Sequence, residues 1–227
     1  MYKKYNFLAA IRMLIAAMML FITFSAFVSC AKPIRYMDYV SELRSNIFLA
    51  KTENFSLRIY AVSKEYPYLS DGIPQECTTR LEAYLVAPEG DESCQISILV
   101  DGKTYGGDMS FDNVKTEYYY SCTLDVAKQS ELPCTIVYGD ERLELTARSV
   151  KSKDVLSPEN ILQKLETAEN ELFLSLTDKY GFAGEIYLRL LYEGAPYYYI
   201  GIIDRNGCIN AFLLDAVTGK ILAKRCN

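Results

Sequence analysis

Histidine and tryptophan are both missing from this chain of 227 residues. Without His there is no Ser-His or Cys-His nucleophile pair, and the commonest general base and the commonest metal ligand are gone as well. Acid–base work would fall to carboxylates, Tyr or Lys. The seven cysteines contain no Cys-x-x-Cys pair, so zinc is not expected. The acidic scatter of Asp108, Asp112 and Glu117 lacks the Asp-x-Asp-x-Asn-Gly order of a calcium loop. No metal and no cofactor are expected. Clustered Lys and Arg are also lacking beyond the first residues, and the net charge is -5, which opposes nucleic-acid binding. These absences point to a protein that is not an enzyme. A carboxylate-based hydrolase is the remaining enzymatic alternative.

One long apolar run is present, at the start. Lys3, Lys4 and Arg12 precede an uncharged stretch from Met13 to Val28, which ends at Ser29-Cys30. A basic segment, an apolar segment and a small residue before the cut describe an export signal. Cys30 stands where the signal of a bacterial lipoprotein places its lipidated cysteine, so residues 1–30 resemble such a signal, with Phe27 where Leu is usual. Cleavage after Ala31 and retention as an uncleaved anchor are the two other fates that fit. All three place the bulk of the chain outside the cytoplasm, and lipidation would anchor it to the cell membrane.

After a short segment with apolar residues at Tyr36, Tyr39, Val40 and Leu43, read as a helical turn or two, period-two patterns begin. Phe55, Leu57, Ile59 and Ala61 alternate with Ser56, Arg58 and Tyr60; Leu81, Ala83 and Leu85 alternate with Arg80, Glu82 and Tyr84. Further strands follow to Ser149, one pair joined by Asp101-Gly102, a type I′ turn signal. Short strands at regular spacing argue an immunoglobulin-like β-sandwich over residues 31–150, with a closed barrel as competitor. Residues 151–156 read as a linker.

Residues 157–227 read as a second, α+β domain. Ser157-Pro158-Glu159 supplies an N-cap, a proline at the first helical position and an acid near the positive helix end. Apolar residues then recur at three and four from Ile161 to Tyr180, so one helix is expected, closed by Gly181. Four strands follow over 185–192, 197–204, 208–214 and 220–224. Their connections are short, which makes them an antiparallel meander with the helix on one face. The stretch Tyr197 to Asp204, Asn206-Gly207, and Phe212-Leu213-Leu214-Asp215-Ala216-Val217-Thr218-Gly219-Lys220-Ile221-Leu222 resembles the end of a PepSY domain. That resemblance implies a helix before a small antiparallel sheet, and a module that binds or regulates peptidases. By hairpin chemistry alone, Asp215 is a turn cap and Gly219 a left-handed position.

Two further readings concern particular side chains. In Tyr118-Tyr119-Tyr120 and Tyr197-Tyr198-Tyr199, alternation sends the middle ring to the face opposite its neighbours. Tyr197, Tyr198 and Tyr199 are the candidate binding face; packing between domains and plain sheet filling are the alternatives. Counting from the last turn, Leu213 falls opposite Ile221 and Cys208 opposite Cys226, a candidate disulfide. Cys94, Cys122 and Cys134 share the parity of inward residues and read as buried thiols. Glu65 and Asp71 flank a long loop and read as solvated.

The expectation is therefore an extracytoplasmic, membrane-tethered binding module, with an envelope protein or a peptidase as partner. A structural or adhesion role without a peptidase link is the alternative. Replacing Cys30 with Ala is expected to release the mature protein from membranes or leave an unprocessed precursor. A wild-type chain that never incorporates labelled palmitate would remove the lipid anchor.

Overall fold

The structure is a computed structural model and describes residues 34–65, 72–88 and 93–225. The segment read as an export signal, with Cys30, and also Asp71 and Cys226 lie outside the described residues. Residues Arg35–Asn227 form one compact unit.

The protein is β-rich. A 3-10 turn, Tyr36–Tyr39, leads into β1, Val40–Lys51. There follow β2 (Ser56–Glu65), β3 (Cys77–Val86), β4 (Cys94–Val100), β5 (Lys103–Asp108), β6 (Ser110–Asp112), β7 (Glu117–Cys122), β8 (Glu131–Tyr138) and β9 (Glu141–Ser149). Two helices come next, α1 (Pro158–Ala168) and α2 (Asn170–Ser175), then the small hairpin of β10 (Thr177–Asp178) and β11 (Gly181–Phe182). The chain ends in β12 (Gly184–Tyr192), β13 (Pro196–Asp204), β14 (Ile209–Asp215) and β15 (Ile221–Arg225).

Of the segment expected to be helical, Tyr36–Tyr39 forms one 3-10 turn, while Val40 and Leu43 belong to the 12-residue strand β1. Its alternation is hidden because Asn46, Ile47 and Phe48 are consecutive buried residues, and because the register shifts between Arg44 and Asn46 where it pairs with β2. That shift lets one strand serve two neighbourhoods. The first part, from Val40 to Arg44, runs parallel to β12, residues Ile186 to Arg189. On its other edge β1 pairs antiparallel with β2 from Glu42 to Lys51, and in its second part Phe48 and Leu49 also pair with Ser149 and Arg148 of β9. The order through the sheet is β15-β14-β13-β12-β1-β2-β3-β7-β6, and β9, β8, β4 and β5 branch from β1. The division expected at 151–156 is therefore bridged. β1, from the front of the chain, is a full neighbour of β12, from its rear.

The front core joins inward residues of two strand groups. Phe48, Leu57, Ile59, Leu81, Ala83, Leu85 and Tyr118 meet Ile96, Ile98, Val100, Leu132, Ile136 and Ala147. Each large apolar side chain so removed from water contributes roughly 1.5–3 kcal/mol before entropy is subtracted. The Asp101-Gly102 turn forms as its sequence demands, with φ of 49° and 77°.

In the rear, Ser157 accepts a hydrogen bond from Asn160 N at 3.2 Å, and Pro158 opens α1 as expected. The single long helix is not found. Glu169, with φ -118° and ψ 36°, breaks it, and the apolar repeat beyond belongs to the separate α2 and the β10–β11 hairpin. α1 turns Ile161, Leu162 and Leu165 inward. The antiparallel meander β12-β13-β14-β15 forms in the expected order. Its last hairpin is shifted from the expected register: Leu214 lies opposite Ile221 and Leu213 opposite Ala223, because Leu222 is extruded as a bulge.

Because β1 is bonded to β12, cleavage between the halves should not part them. Limited trypsin digestion at Lys151 or Lys153 is expected to give two fragments that elute together from a sizing column and separate only in denaturant. Separation in buffer alone would show that the two halves are independent domains.

Candidate binding face

The two faces of the meander differ. Tyr198 is fully buried, and its hydroxyl donates to the carbonyl of Leu156, just before α1, at 3.0 Å. Burial, then the nearby Glu159 carboxylate, push its phenol pKa well upward. Tyr198 is thus a core residue, which removes it from the candidate binding face. The neighbouring Tyr197 and Tyr199 are half-buried, and Tyr199 faces the opposite way. Its ring lies 5.9 Å from the Arg189 guanidinium carbon. The alternation predicted for the triplet holds, and it separates the middle ring from the other two.

The Tyr199 side belongs to a longer row, continuous because the sheet is continuous. Arg189 also stands 5.4 Å from the Tyr187 ring, and it makes a two-pronged ion pair with Glu42 across the β1–β12 junction, with Nε at 2.8 Å. Arg44, opposite Arg189 in register, lies 4.1 Å over the Tyr60 ring. Tyr60 meets Tyr84 at 5.5 Å and Tyr84 meets Tyr119 at 5.0 Å, both as tilted ring pairs. Lys115 Nζ sits 5.7 Å from the Tyr84 ring. Each such cation–ring contact is worth about 0.5–1 kcal/mol at exposed sites and more once water is removed.

Carboxylates hold the row in place. Tyr84 donates to Glu82 at 3.1 Å, and Lys64 reaches the other Glu82 oxygen at 2.5 Å. Desolvation, followed by the Glu82 charge, keeps the Tyr84 phenol protonated far above its usual range. Arg58 binds Glu117 at 2.5 Å, and Arg80 donates to Ser121 at 2.7 Å. A pocket of about 260 Å³ opens at the β6–β7 end of the row, lined by Tyr84, Phe111, Asp112, Lys115, Glu117 and Tyr119. Tyr118 points the other way, into the front core, 5.9 Å from Tyr138.

The acidic residues weighed in the sequence are taken up by local partners. Asp108 accepts from Gln95 Nε2 at 2.8 Å, Asp112 caps the N–H groups of Val114 and Lys115, and Glu117 is taken by Arg58. Among the described residues no group of His, Cys, Asp or Glu gathers as a metal site would require. Asp215 accepts from Thr218 N at 2.7 Å and Thr218 Oγ1 at 2.8 Å, and these bonds hold its carboxyl below the usual range. It is the turn cap read from the sequence, followed by Gly219 at φ 74°.

Glu65 is not solvated as expected. It is buried at the end of β2 and accepts from Gln75 N. A second buried carboxylate, Glu185, gathers Ser41 Oγ at 3.3 Å, Gly72 N at 3.0 Å and the Tyr187 hydroxyl. Together these two acids hold Gly72 and Gln75, which lead into β3, with Gly72 fastened beside the β1–β12 junction. Gly72 is confined there: at φ 75°, an added Cβ would stand 2.8 Å from the Asp204 carbonyl oxygen.

Cys208 is exposed and carries a free thiol; its proposed partner, Cys226, is outside the described residues. The observed register places Ala211 opposite Arg225. The Cys208–Cys226 pairing drawn from the Leu213–Ile221 count therefore loses its geometric basis. Cys94 and Cys134 are buried free thiols as read, with burial raising their pKa to about 11 and about 12. Cys122 is only half-buried.

The residues that sequence reasoning missed are Glu42, Arg44, Tyr60, Tyr84 and Arg189. Tyr60 and Tyr84 were legible as outward members of alternating strands. The two arginines and Glu42 required knowledge of the parallel β1–β12 pairing. Compared with protein-family models, curated proteins and solved structures, the chain finds no match among any of the three.

Proposed function

We propose that this protein is a non-catalytic binding module held outside the cytoplasm at the cell membrane, and that it binds an envelope protein through the Tyr–Arg row. The observation that carries the reading is the row itself: Tyr199 with Arg189, and Arg44 with Tyr60, Tyr84 and Tyr119, two groups of contacts brought side by side by the Arg44–Arg189 register across β13, β12, β1, β2, β3 and β7. Tyr and Arg, with Trp, are enriched at binding hot spots: Tyr offers wide contact area with few torsions to fix, and Arg a planar fork of donors that also stacks on rings. The rings and guanidinium groups are already fixed by one another and by Glu42 and Glu82, so binding would order little more.

The finer architectural reading belongs to this proposal. The two strand groups meeting in the front core support an immunoglobulin-like sandwich. α1 with the β12–β15 meander supports the PepSY-like resemblance, and with it a peptidase as the envelope partner. The continuous sheet makes the two parts a single platform rather than separate modules.

A photo-crosslinking side chain placed at Tyr119 in the living source cell is expected to capture one predominant envelope protein. The purified partner should then bind Arg44→Glu at least about 30-fold more weakly than wild type, the loss typical of a binding hot spot, while thermal unfolding stays close to that of the wild type. If the partner is a peptidase, its activity should change on binding. Equal capture from Tyr119 and from the exposed Val217, or unchanged affinity in Arg44→Glu, would contradict the assignment of this face.

A further inference from the structure

The first described residues do not trail away from the body of the protein. In the 3-10 turn, the Tyr36 ring lies 4.7 Å from Phe173 of α2 and 5.2 Å from Phe182 of β11, and the Tyr39 ring lies 5.3 Å from Phe182. Phe182 N donates to Tyr39 Oη at 3.3 Å, and Phe173 and Phe182 are themselves buried. The chain is therefore clamped, from Tyr36 onward, to α2 and the β10–β11 hairpin.

Cys30 precedes Arg35 by five residues, and five residues of fully extended chain span at most about 17 Å. If the membrane anchor is at Cys30, that reach is about two to three times the depth of one headgroup layer, so the body is held close to the bilayer. The clamp sets α2 and the hairpin beside the point where the tether joins the body. The side chains exposed beside the clamp suit a bilayer surface. Leu174, next to Phe173, is 59% exposed, and Tyr180, next to Gly181, is 81% exposed. Lys179 and Tyr180 form the tip of the hairpin between the paired Asp178 and Gly181, and Lys179 Nζ stands 4.8 Å from the Tyr180 ring. The exposed Asp178 carboxylate is engaged within the turn, accepting from Tyr180 N at 2.7 Å. A Tyr ring with its hydroxyl among headgroups, an adjacent Leu in the acyl boundary and a Lys at lipid phosphate is the arrangement that membrane interfaces favour.

We propose that Leu174, Lys179 and Tyr180 form a second contact with the phospholipid bilayer, which orients the anchored protein on its membrane. The proposal rests on the membrane anchor and adds to it the part of the body that touches lipid.

The absence of Trp makes the test direct. Tyr180→Trp in the full chain gives a lone reporter at a site open enough to accept it; Leu174→Trp gives a second, and Val114→Trp, 94% exposed in the β6–β7 turn, gives a distant one. Each protein, purified from the membranes of a lipoprotein-processing host, is placed in vesicles of dibromophosphatidylcholine and phosphatidylglycerol. Flotation reports the anchor and bromine quenching reports the contact. The expected result is flotation of all three variants. Tyr180→Trp and Leu174→Trp should lose roughly half their emission, as befits rings at the interface, and Val114→Trp should lose little. Flotation with Tyr180→Trp and Leu174→Trp both unquenched, or with all three variants quenched alike, overturns the oriented contact while the anchor stands. A protein that does not float, with unquenched emission, overturns the anchor and the contact together.

Discussion

The parallel pairing of β1 with β12 is the constraint on which the rest of the structure depends. Strands so distant in the chain, with Val40 beside Ile186, are hard to bring together, since closing such a loop costs entropy before any contact repays it. Here several interactions gather at the one junction. Glu42 takes both prongs of Arg189, Ser41 and Gly72 bond the buried Glu185, and Tyr36 and Tyr39 close over Phe173 and Phe182. The buried Glu185 makes the junction demanding as well as strong. Ser41 and Tyr187 share one of its oxygens and Gly72 N holds the other, so losing the Gly72 bond would cost about 1–3 kcal/mol. A junction of this kind joins the halves cooperatively.

Continuity at the junction is also what gives the proposed binding face its extent. Tyr60, Tyr84 and Tyr119 belong to the front strands, Tyr187 and Tyr199 to the rear ones, and Arg44 and Arg189 stand in register between them. Were the two parts separate domains, each would carry a short aromatic cluster whose relation to the other varied. In one sheet they make a single row, with each ring positioned by a neighbouring cation or ring. The opposite side of the meander is given over to packing, as the burial of Tyr198 shows.

Much of this was legible in the sequence, because period-two alternation reports which side chain faces a core. It located β2, β3, β4 and the four rear strands, and it placed the middle ring of each Tyr triplet opposite its neighbours. It failed where local pattern and global context disagree. β1 is buried among several neighbours and shifts register near Ser45, so its pattern does not alternate. The break at Glu169 leaves the apolar spacing of three and four intact, so nothing in the spacing revealed it. The bulge at Leu222 moved the last hairpin out of the register counted from its turn, and with it the basis for pairing Cys208 with Cys226. For the candidate site, the aromatic half was readable and the cationic half was not. A parallel pairing between the first strand and the twelfth leaves no local trace.

The central claim is that Arg35–Asn227 is one cooperative body built across β1 and β12. It is tested most directly by urea unfolding of two variants, Phe111→Trp in the front and Tyr192→Trp in the rear. Both positions are partly exposed, and each variant carries the lone Trp of a chain that has none of its own. The account predicts coincident transitions with the same midpoint and slope, as a two-state body requires. Two separated midpoints, with the rear unfolding independently of the front, would contradict it.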